Sequence, residues 1–571
     1  MHISTLIKWG FLVFISLILT NCGGGGSSNT TVSTTTAKDD TTTVIYSEEE
    51  KNASKNDEFS RSAYKGLTFY YKNKPSSDYM LRQLSNSQFN ALTNSQKLQV
   101  ADKILTTFFF GYPLKVLEQK INSGHFIDDI KNGLSTDRTD KEWLENYILD
   151  ETKFEQYSIY SQPQAITILS RFYTMKELDT YFFNNWVAYI LTQTIMFSPA
   201  YELSTTHTPN ISNVYNRLVT MLGIGSGMRY ITYVHMMSED NWRRFRSPED
   251  NGREMLEIYL FDQNDLDVPI AGKALQNWKL NTDSDTLEVS LNRNTKPLKL
   301  FGTTIYNGDD FYRELVKSDL FVKGVSRRIV DFFFPQKSDA KRAQITDTIV
   351  SSHPETWQDI LLQIVFSEEY LLHNQRAKSA EETFFSLAKK MDYKHRKNTF
   401  ASLKNHLEEM HQATMKYKLG KVERVPLDTL SFAYYHKFIR NEILLKRSHP
   451  DKINDYNSWA RQGWSESFLS FNNFDHESNS DGENLDLFVD YLFKSTIARS
   501  ATDEEKTLFR NHMTEEKNGK KIFRYEFNMF VTYDDQDKQK KQRKERKINI
   551  ALIVLDYISR LDTTYLQKEV Q

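Results

Sequence analysis

Four of the charged side chains between positions 249 and 257 have the types and the spacing to do chemistry together. They are Glu249, Arg253, Glu254 and Glu257. Glu249 and Arg253 are four residues apart, as are Arg253 and Glu257, so one face of a helix would present an acid, a guanidinium and an acid in a row. Arg253 could clamp an anionic group, while Glu254 or Glu257 could act as a general acid or base. We take these four residues as the candidate polar site.

The same stretch has a structural explanation that needs no ligand. Ser247, Pro248 and Asp250 have the order of a helix start, and acidic residues in a first turn complement the helix dipole. An arginine and a glutamate four residues apart also form an ordinary helix pair. Spacing alone therefore leaves a chemical and a structural interpretation open.

Two other patterns resemble known sites but fail on geometry. Gly223 to Met228 is rich in glycine, yet Met228 stands where a third glycine is needed and no Lys-Ser or Lys-Thr ending follows, so we predict a turn between helices. His406 and His411 are five residues apart, which separates their directions on a helix by roughly 140°, whereas a zinc protease helix needs a spacing of four. The remaining histidines are scattered, and we predict neither a metal nor a cofactor.

The single cysteine, Cys22, ends a segment typical of an export signal. The apolar run from Trp9 to Leu19 is too short to span a membrane as a mature helix. The sequence Leu-Thr-Asn-Cys at 19–22, followed by four glycines, resembles a bacterial lipoprotein signal, in which the cysteine is acylated. This resemblance implies that residues 1–21 are removed and that Cys22 carries lipid. An ordinary signal peptide and an uncleaved anchor are the alternatives.

Composition divides the rest of the chain into three parts. Residues 22–57 contain Gly, Ser, Thr and charged residues with almost no large apolar side chain, which predicts a flexible tether. We assign residues 58–480 to a helical domain. The turn-rich segment around residues 478–482 marks a boundary, and residues 481–571 form a C-terminal helical section.

The fold class expected from the sequence is mainly α. Only 21 Gly and 12 Pro occur in 571 residues, which suits long helices. Capping boxes recur at Thr93 with Gln96, Ser247 with Asp250, Ser352 with Glu355, Ser379 with Glu382, and Thr502 with Glu505. Alternating apolar residues predict a small β-hairpin near residues 286–307, while residues 523–533 leave strand and buried helix unresolved.

The net charge of −2 at pH 7 provides no global field for nucleic acid, and we expect no nucleic-acid partner. One basic run stands out, and it contains Lys538, Lys540, Lys541, Arg543, Lys544, Arg546 and Lys547. It could contact anionic lipid headgroups or polymers. Because three aspartates precede it and an apolar segment follows, we interpret it instead as the solvated start of a helix.

The stretch around Arg253 resembles the hallmark of the bacterial family called domain of unknown function 1800, roughly Pro-Asn-Glu-Asn-aromatic-Ala-Arg-Glu-Leu-x-Glu-Leu. Matching positions are Glu249, Arg253, Glu254, Met255, Glu257 and Ile258. Further resembling segments, in the family's order, are residues 101–105 with Phe110-Gly111, Phe183 to Trp186, Ala274 to Trp278, Leu300 to Gly302, and Ser379 to Glu382. The resemblance covers about residues 95–480. Pro248, Asp250 and Asn251 depart from the hallmark, and the family's His-Asp pair is not present.

The resemblance implies an exported helical protein of the envelope but no known reaction. We expect a lipid-anchored protein of the cell envelope. The lack of Asp directly after Cys22 resembles the sorting pattern of outer-membrane lipoproteins, which implies the outer membrane, on its periplasmic or surface side, in a host with two membranes. Its membrane contact would be the lipid anchor, and it would bind or assemble with other exported proteins. The alternative is a hydrolase or transferase acting on an envelope or extracellular polymer through Arg253 and a glutamate. No pattern specifies a small molecule or a glycan.

Overall fold

The structure, a computed structural model, describes residues 43–45, 80–136, 177–196, 211–261, 265–281, 286–393, 429–444, 481–528 and 533–570. Within these ranges residues 224, 246 and 292 are not described, and a few isolated residues outside the ranges are. These residues belong to one compact unit, Thr43–Gln571. Helices make up most of the described chain, and the strands form short antiparallel pairs, so the expected mainly α fold class is confirmed.

The first half of the described chain contains ten helices within the ranges given. They are α1 (Asn86–Ala91), α2 (Asn94–Thr107), α3 (Leu114–Asn122), α4 (Phe126–Ser135), α5 (Thr180–Thr194), α6 (Ile211–Gly223), α7 (Met228–Met236), α8 (Glu239–Arg244), α9 (Pro248–Leu260) and α10 (Val268–Ala274). The capping box predicted at Thr93 with Gln96 begins α2. Residues 182–192 of α5 are buried without interruption, so this helix runs through the core. The predicted turn joins α6 to α7, with Gly225 at φ +75°.

Short strands occupy the region where the sequence predicts a hairpin. They are β1 (Thr43–Ile45), β2 (Trp278–Asn281), β3 (Thr286–Ser290), β4 (Leu298–Leu300) and β5 (Thr303–Ile305). β4 and β5 form the hairpin, turning through Phe301 and Gly302, which both have positive φ. β3 pairs instead with β2 on one side and β1 on the other. β1 lies within the stretch predicted to be a tether, most of which is outside the described residues.

The second half contains the remaining described helices: α11 (Gly308–Lys317), α12 (Asp319–Phe333), α13 (Asp339–Ser351), α14 (Trp357–Val365), α15 (Glu368–Leu371), α16 (Ala380–Lys390), α17 (Thr429–Ile439), α18 (Asp481–Ile497), α19 (Asp503–Met513) and α20 (Gln536–Ile558). A π-helical turn, Arg440–Leu444, follows α17. The capping boxes predicted at the starts of α16 and α19 are present.

The capping box predicted at Ser352 with Glu355 is wrong. Ser352 ends α13, because its hydroxyl donates to the Ile349 carbonyl of the preceding turn. α14 starts four residues later than expected, with Thr356 and Asp359 forming the box. The sequence contains both hydroxyl-acid pairs in succession, and only the tertiary contacts decide which one begins the helix.

The C-terminal section packs into the same core as the preceding helices. β6 (Arg376–Ala377) pairs with β9 (Leu566–Gln567), and β7 (Thr514–Lys517) pairs with β8 (Lys520–Phe523). Short 3₁₀ turns follow at Tyr525–Phe527 and Asp562–Thr564. For residues 523–533 the sequence leaves strand and buried helix open. The structure shows a strand end at Phe523 and a 3₁₀ turn after it, and residues 529–532 lie outside the described chain.

The basic run begins α20, as the sequence predicts, but its last two members are not solvated. Arg546 and Lys547 are buried, because the helix has turned its face toward the core before the basic run ends. None of the helices in the described part of the chain is both long and apolar enough to cross a membrane.

Candidate functional site

α9 begins at the N-cap that the sequence predicts. The Ser247 side chain accepts a hydrogen bond from the backbone N–H of Asp250, and Pro248 is the first helical residue. Glu249 and Asp250 lie in the first turn, where their charges complement the helix dipole. Helix initiation therefore accounts for these residues, as the structural interpretation expects.

Arg253 lies on the exposed part of α9 and pairs with two carboxylates. Its guanidinium is 3.9 Å from a carboxylate oxygen of Glu249 and 2.5 Å from one of Asp265. The side chains of Glu249 and Asp265 are 70% and 77% exposed. Asp265 follows the helix by several residues, and no local signal in the sequence identifies it. Among the described ion pairs, Arg253 is not paired with Glu257.

Glu254 and Glu257 are half-buried and face a different cation, Arg328 of α12. A guanidinium nitrogen of Arg328 donates to the backbone carbonyl of Glu257 at 2.8 Å. Burial lowers the pKa of Arg328, and nearby carboxylates, first Asp331 and then Glu257 and Glu254, oppose this effect. The predicted four-residue set is thus divided between two arginines.

The last turn of α9 touches the backbone of α12 directly. A Cβ atom placed on Gly324 would lie 2.2 Å from the carbonyl oxygen of Tyr259. A distance this short leaves no room for any side chain, so Gly324 sets the approach of the two helices. The same contact brings Arg327 and Arg328 to the end of α9.

A cleft of about 310 Å³ opens at this helix end, between α9, α12 and α13. Its lining comprises Leu260, Phe261, Leu320, Lys323, Arg327, Ala343 and Thr346. Phe261 ends α9 in the left-handed conformation, at φ +56°. The guanidinium of Arg328 lies 4.6 Å from the centre of its ring, and that of Arg327 lies 5.5 Å away. The C-terminal end of the helix, and not its polar face, therefore forms a concave surface.

The charges at the rim of this cleft are balanced. Lys323 pairs with Asp347 at 3.0 Å, and Arg327 pairs with Asp331 at 2.9 Å and also with Asp339. Each cation thus has an acid beside it. The cleft consequently offers an apolar floor with a neutralised polar edge.

A second group of ionisable residues is buried far from α9 in the sequence. Arg376 is 1% exposed and forms a two-pronged pair with Glu382, including a 2.8 Å bond from Nη1. Its other bonds run from Nε and Nη2 to the Tyr370 hydroxyl and from Nη1 to the Ala377 carbonyl. One bond from Nε and two from each terminal nitrogen use all five N–H groups of the guanidinium.

The Tyr370 hydroxyl links this network to α2 and to the C-terminal strand β9. It lies 2.8 Å from the Thr107 hydroxyl at the end of α2 and donates to the Gln567 side chain in β9 at 2.9 Å. Burial, the largest single effect, would lower the pKa of Arg376, but the charges and hydrogen bonds of Glu382 and Tyr370 together raise it. We therefore assign the network to holding α2, β6, α16 and β9 together.

Two buried lysines lie close to the network. Burial lowers the pKa of Lys103 to about 7 and that of Lys378 to about 8. A neutral lysine amine is a base or a nucleophile in many enzymes. Here the Lys103 amine donates to the backbone carbonyl of Asn374 at 2.7 Å, and the Lys378 amine donates to that of Thr563 at 3.1 Å. Both amines therefore serve as internal hydrogen-bond donors.

Three segments that carry the family resemblance meet around this network. Asp102 of α2 forms an ion pair with Lys390 of α16. Trp186 of α5 donates from its indole nitrogen to a carbonyl at the end of α2, at a distance of 2.7 Å. Gly111 lies so close to α16 that a Cβ atom would be 2.7 Å from the Ser386 carbonyl oxygen. These motifs are packing sites in this chain.

Within the described residues, no group of three or more His, Cys, Asp or Glu side chains is arranged to hold a metal ion. Cys22, predicted to carry the lipid, and His411 lie outside those residues. The sequence identifies Glu382 only as a capping residue. Its larger role as the partner of Arg376 has no local signal, because six residues separate the two.

We compared the chain with protein-family models, curated proteins and solved structures, and none of the three comparisons gave a match. The resemblance to domain of unknown function 1800 consequently stays a prediction from the motifs.

Proposed function

We propose that this protein is an exported, lipid-anchored envelope protein that binds other exported proteins through the cleft at the end of α9. The export and anchor part of the proposal is supported by the signal-like segment before Cys22 and the polar tether after it. The binding part is supported by one observation above the others. Phe261 and Leu320 present apolar surface in a concave site, at 39% and 47% exposure.

Phe261 combines two features that are unfavourable in the isolated protein. A left-handed residue after a helix is usually glycine, because a Cβ atom is strained there. A ring that is 39% exposed also loses part of the free energy of burial. A partner side chain that covers the ring would gain the free energy of burying it. This gain supports a role for Phe261 in binding a partner.

The composition of the cleft suits a protein partner. Its floor is apolar, and its edge consists of ion pairs, which is the arrangement of an interface centre with a polar rim. We therefore infer that a partner inserts an apolar side chain between Phe261 and Leu320. The interaction would depend little on salt, since the rim charges are already paired.

The polar face of α9 gives less support to the alternative, a hydrolase or transferase. Arg253, itself 39% exposed, pairs with Glu249 and Asp265, whose side chains are 70% and 77% exposed. Water screens such charges, and an electrostatic contribution to a transition state is large only in a water-excluded site. This comparison is the reason for placing binding ahead of catalysis.

The binding proposal is tested by a photo-crosslinking amino acid at position 320 of the protein in its own envelope. We expect a discrete partner band from position 320 and none from position 508, where Leu508 of α19 is equally exposed. Phe261→Gly should abolish the band while the protein stays folded, because glycine relieves the left-handed strain. Unchanged crosslinking by folded Phe261→Gly protein would refute the cleft as the binding site.

The anchor and the catalytic alternative have separate tests. Labelled palmitate should enter the wild-type protein, and Cys22→Ala should prevent labelling; unlabelled wild type would exclude the lipid anchor. Glu257→Gln and Arg253→Met should fold and complement a deletion strain fully if the protein acts by binding. Loss of complementation by folded variants would instead favour a chemical role for the polar face.

A further inference from the structure

The hairpin formed by β7 and β8 projects into solvent. Asn518 and Gly519 join the strands with φ values of +55° and +72°, a two-residue turn of the tight type I′ class. Lys517 lies opposite Lys520, and Glu515 lies opposite Ile522. Because paired residues share a face, these four side chains lie together, and all four are exposed. We call them the outward face of the hairpin.

The base of the hairpin is held firmly. Phe523, whose side chain lies on the other face, is partly buried against the core. Arg546 of α20 is buried, donates to the Asn528 carbonyl at 2.6 Å and lies 4.7 Å from the ring centre of Tyr525. Contacts with α20 thus hold the segment that directly follows β8.

The outward face carries features that cost free energy in water. Two like charges directly opposite one another on a strand pair repel, as Lys517 and Lys520 do here. Ile522 is 39% exposed beside them, and Tyr525, just beyond the strand, is 69% exposed. An anionic lipid surface would make each feature favourable, since headgroups attract lysines while aliphatic and tyrosine side chains enter the interfacial layer.

We propose that the outward face of the β7–β8 hairpin, together with Tyr525, docks onto a membrane surface that contains anionic lipids. Residues 514–525 include four basic and two acidic side chains, a local charge of +2 on a chain whose total is −2. This local excess of positive charge attracts an anionic surface. Ile522 favours a lipid surface over a soluble polyanion, because a polymer of charged units offers no apolar layer to receive it. The inference goes beyond the proposed function and does not depend on acylation of Cys22.

The test uses the full chain with Cys22→Ala, so that no acyl group contributes to binding. Co-sedimentation is measured with phosphatidylcholine vesicles, either pure or containing roughly one-third phosphatidylglycerol, at low and high salt. We expect preference for the anionic vesicles. Lys517→Gln with Lys520→Gln should weaken this binding on the order of 30-fold, at about 1 kcal/mol per lysine. Ile522→Ser should weaken binding to a smaller extent, and that loss should persist at high salt.

The matched control is Lys296→Gln with Lys299→Gln, which removes two exposed lysines, one just before β4 and one within it. This variant should bind anionic vesicles as the parent does, and circular dichroism should show both double variants folded. Equal losses in the two double variants, or no preference for phosphatidylglycerol, would overturn the proposal. So would binding of the parent to heparin but not to vesicles, which would identify a polymer ligand. None of these results bears on palmitate labelling or on crosslinking at position 320.

Discussion

Replacing Glu382 should destabilise the protein more than replacing any surface acid. Glu382→Leu leaves the guanidinium of Arg376 buried without its counter-charge, which costs about 3–5 kcal/mol. It also removes the acceptor for the Ser379 N–H, now bonded at 2.6 Å, which costs about 1 kcal/mol. We therefore expect a loss of about 4–6 kcal/mol in the free energy of unfolding.

The companion variant, Arg376→Met with Glu382→Leu, removes both charges and keeps most of the volume. Because no unpaired charge is left behind, we expect it to recover much of the loss and to lie within about 2 kcal/mol of wild type. The remaining deficit would come from the Ser379 N–H and the Tyr370 hydroxyl, which lose their partners. The coupling between the two sites should consequently be several kcal/mol.

Urea unfolding followed by tryptophan fluorescence measures these differences, with the denaturant slope checked for constancy. Asp347→Asn is the control, since it breaks the exposed pair with Lys323 and should cost less than about 1 kcal/mol. Glu382→Gln, which keeps an acceptor for Ser379, isolates the charge if Glu382→Leu fails to fold. The explanation is refuted if the double variant loses the sum of the two single losses.

The remaining predictions concern a close helix contact and a buried histidine. Gly324→Ala should lower stability by about 1–3 kcal/mol, because the added methyl group pushes α12 away from the Tyr259 carbonyl. Gly482→Ala, where the nearest atom to the added Cβ is 3.8 Å away, should be neutral in the same thermal melt. Equal effects of the two substitutions would show that the contact at Gly324 is not tight. Burial, with a smaller contribution from Arg217, lowers the pKa of His235 to about 3, so between pH 6.5 and about 3 the unfolded chain binds more protons than the folded one. The free energy of unfolding should therefore fall as pH drops through this window, by at most about 1.4 kcal/mol per pH unit from this group, and His235→Leu should reduce the slope; an unchanged slope would contradict the assignment.

Local patterns in the sequence predict many of the helix starts correctly. Thr93, Ser247, Ser379 and Thr502 cap helices as expected, because each hydroxyl and its partner act within one turn. The error at Ser352 arose where two such pairs follow one another. The strands between residues 286 and 305 lie where the sequence predicts a hairpin, whereas β1, β2, β6, β7 and β9 are not predicted. The pairing of β3 with β2 and β1 is not predicted either, since pairing depends on which strand the core brings alongside.

The candidate polar face was predicted only in part. The position of Arg253 on α9 follows from periodicity, whereas its pairing with Asp265 depends on the loop after the helix. Arg328, which faces Glu254 and Glu257, is more than seventy residues away in the chain and gives no local signal. The cleft around Phe261 was not anticipated, because it exists only where α9, α12 and α13 meet.

The sequence by itself determines the properties that act over a few residues: helix formation and capping, the turn at Gly225, and the signal-like segment that ends at Cys22. The tertiary structure decides which charges are buried and what they face. Arg376 and Glu382 become a buried pair only because α2, α16 and β9 close over them and exclude water. Arg253 keeps water-exposed partners because its side chain is only partly covered and those of Glu249 and Asp265 are largely exposed. Burial sets the strength of a charge interaction, and burial is a property of the assembled fold.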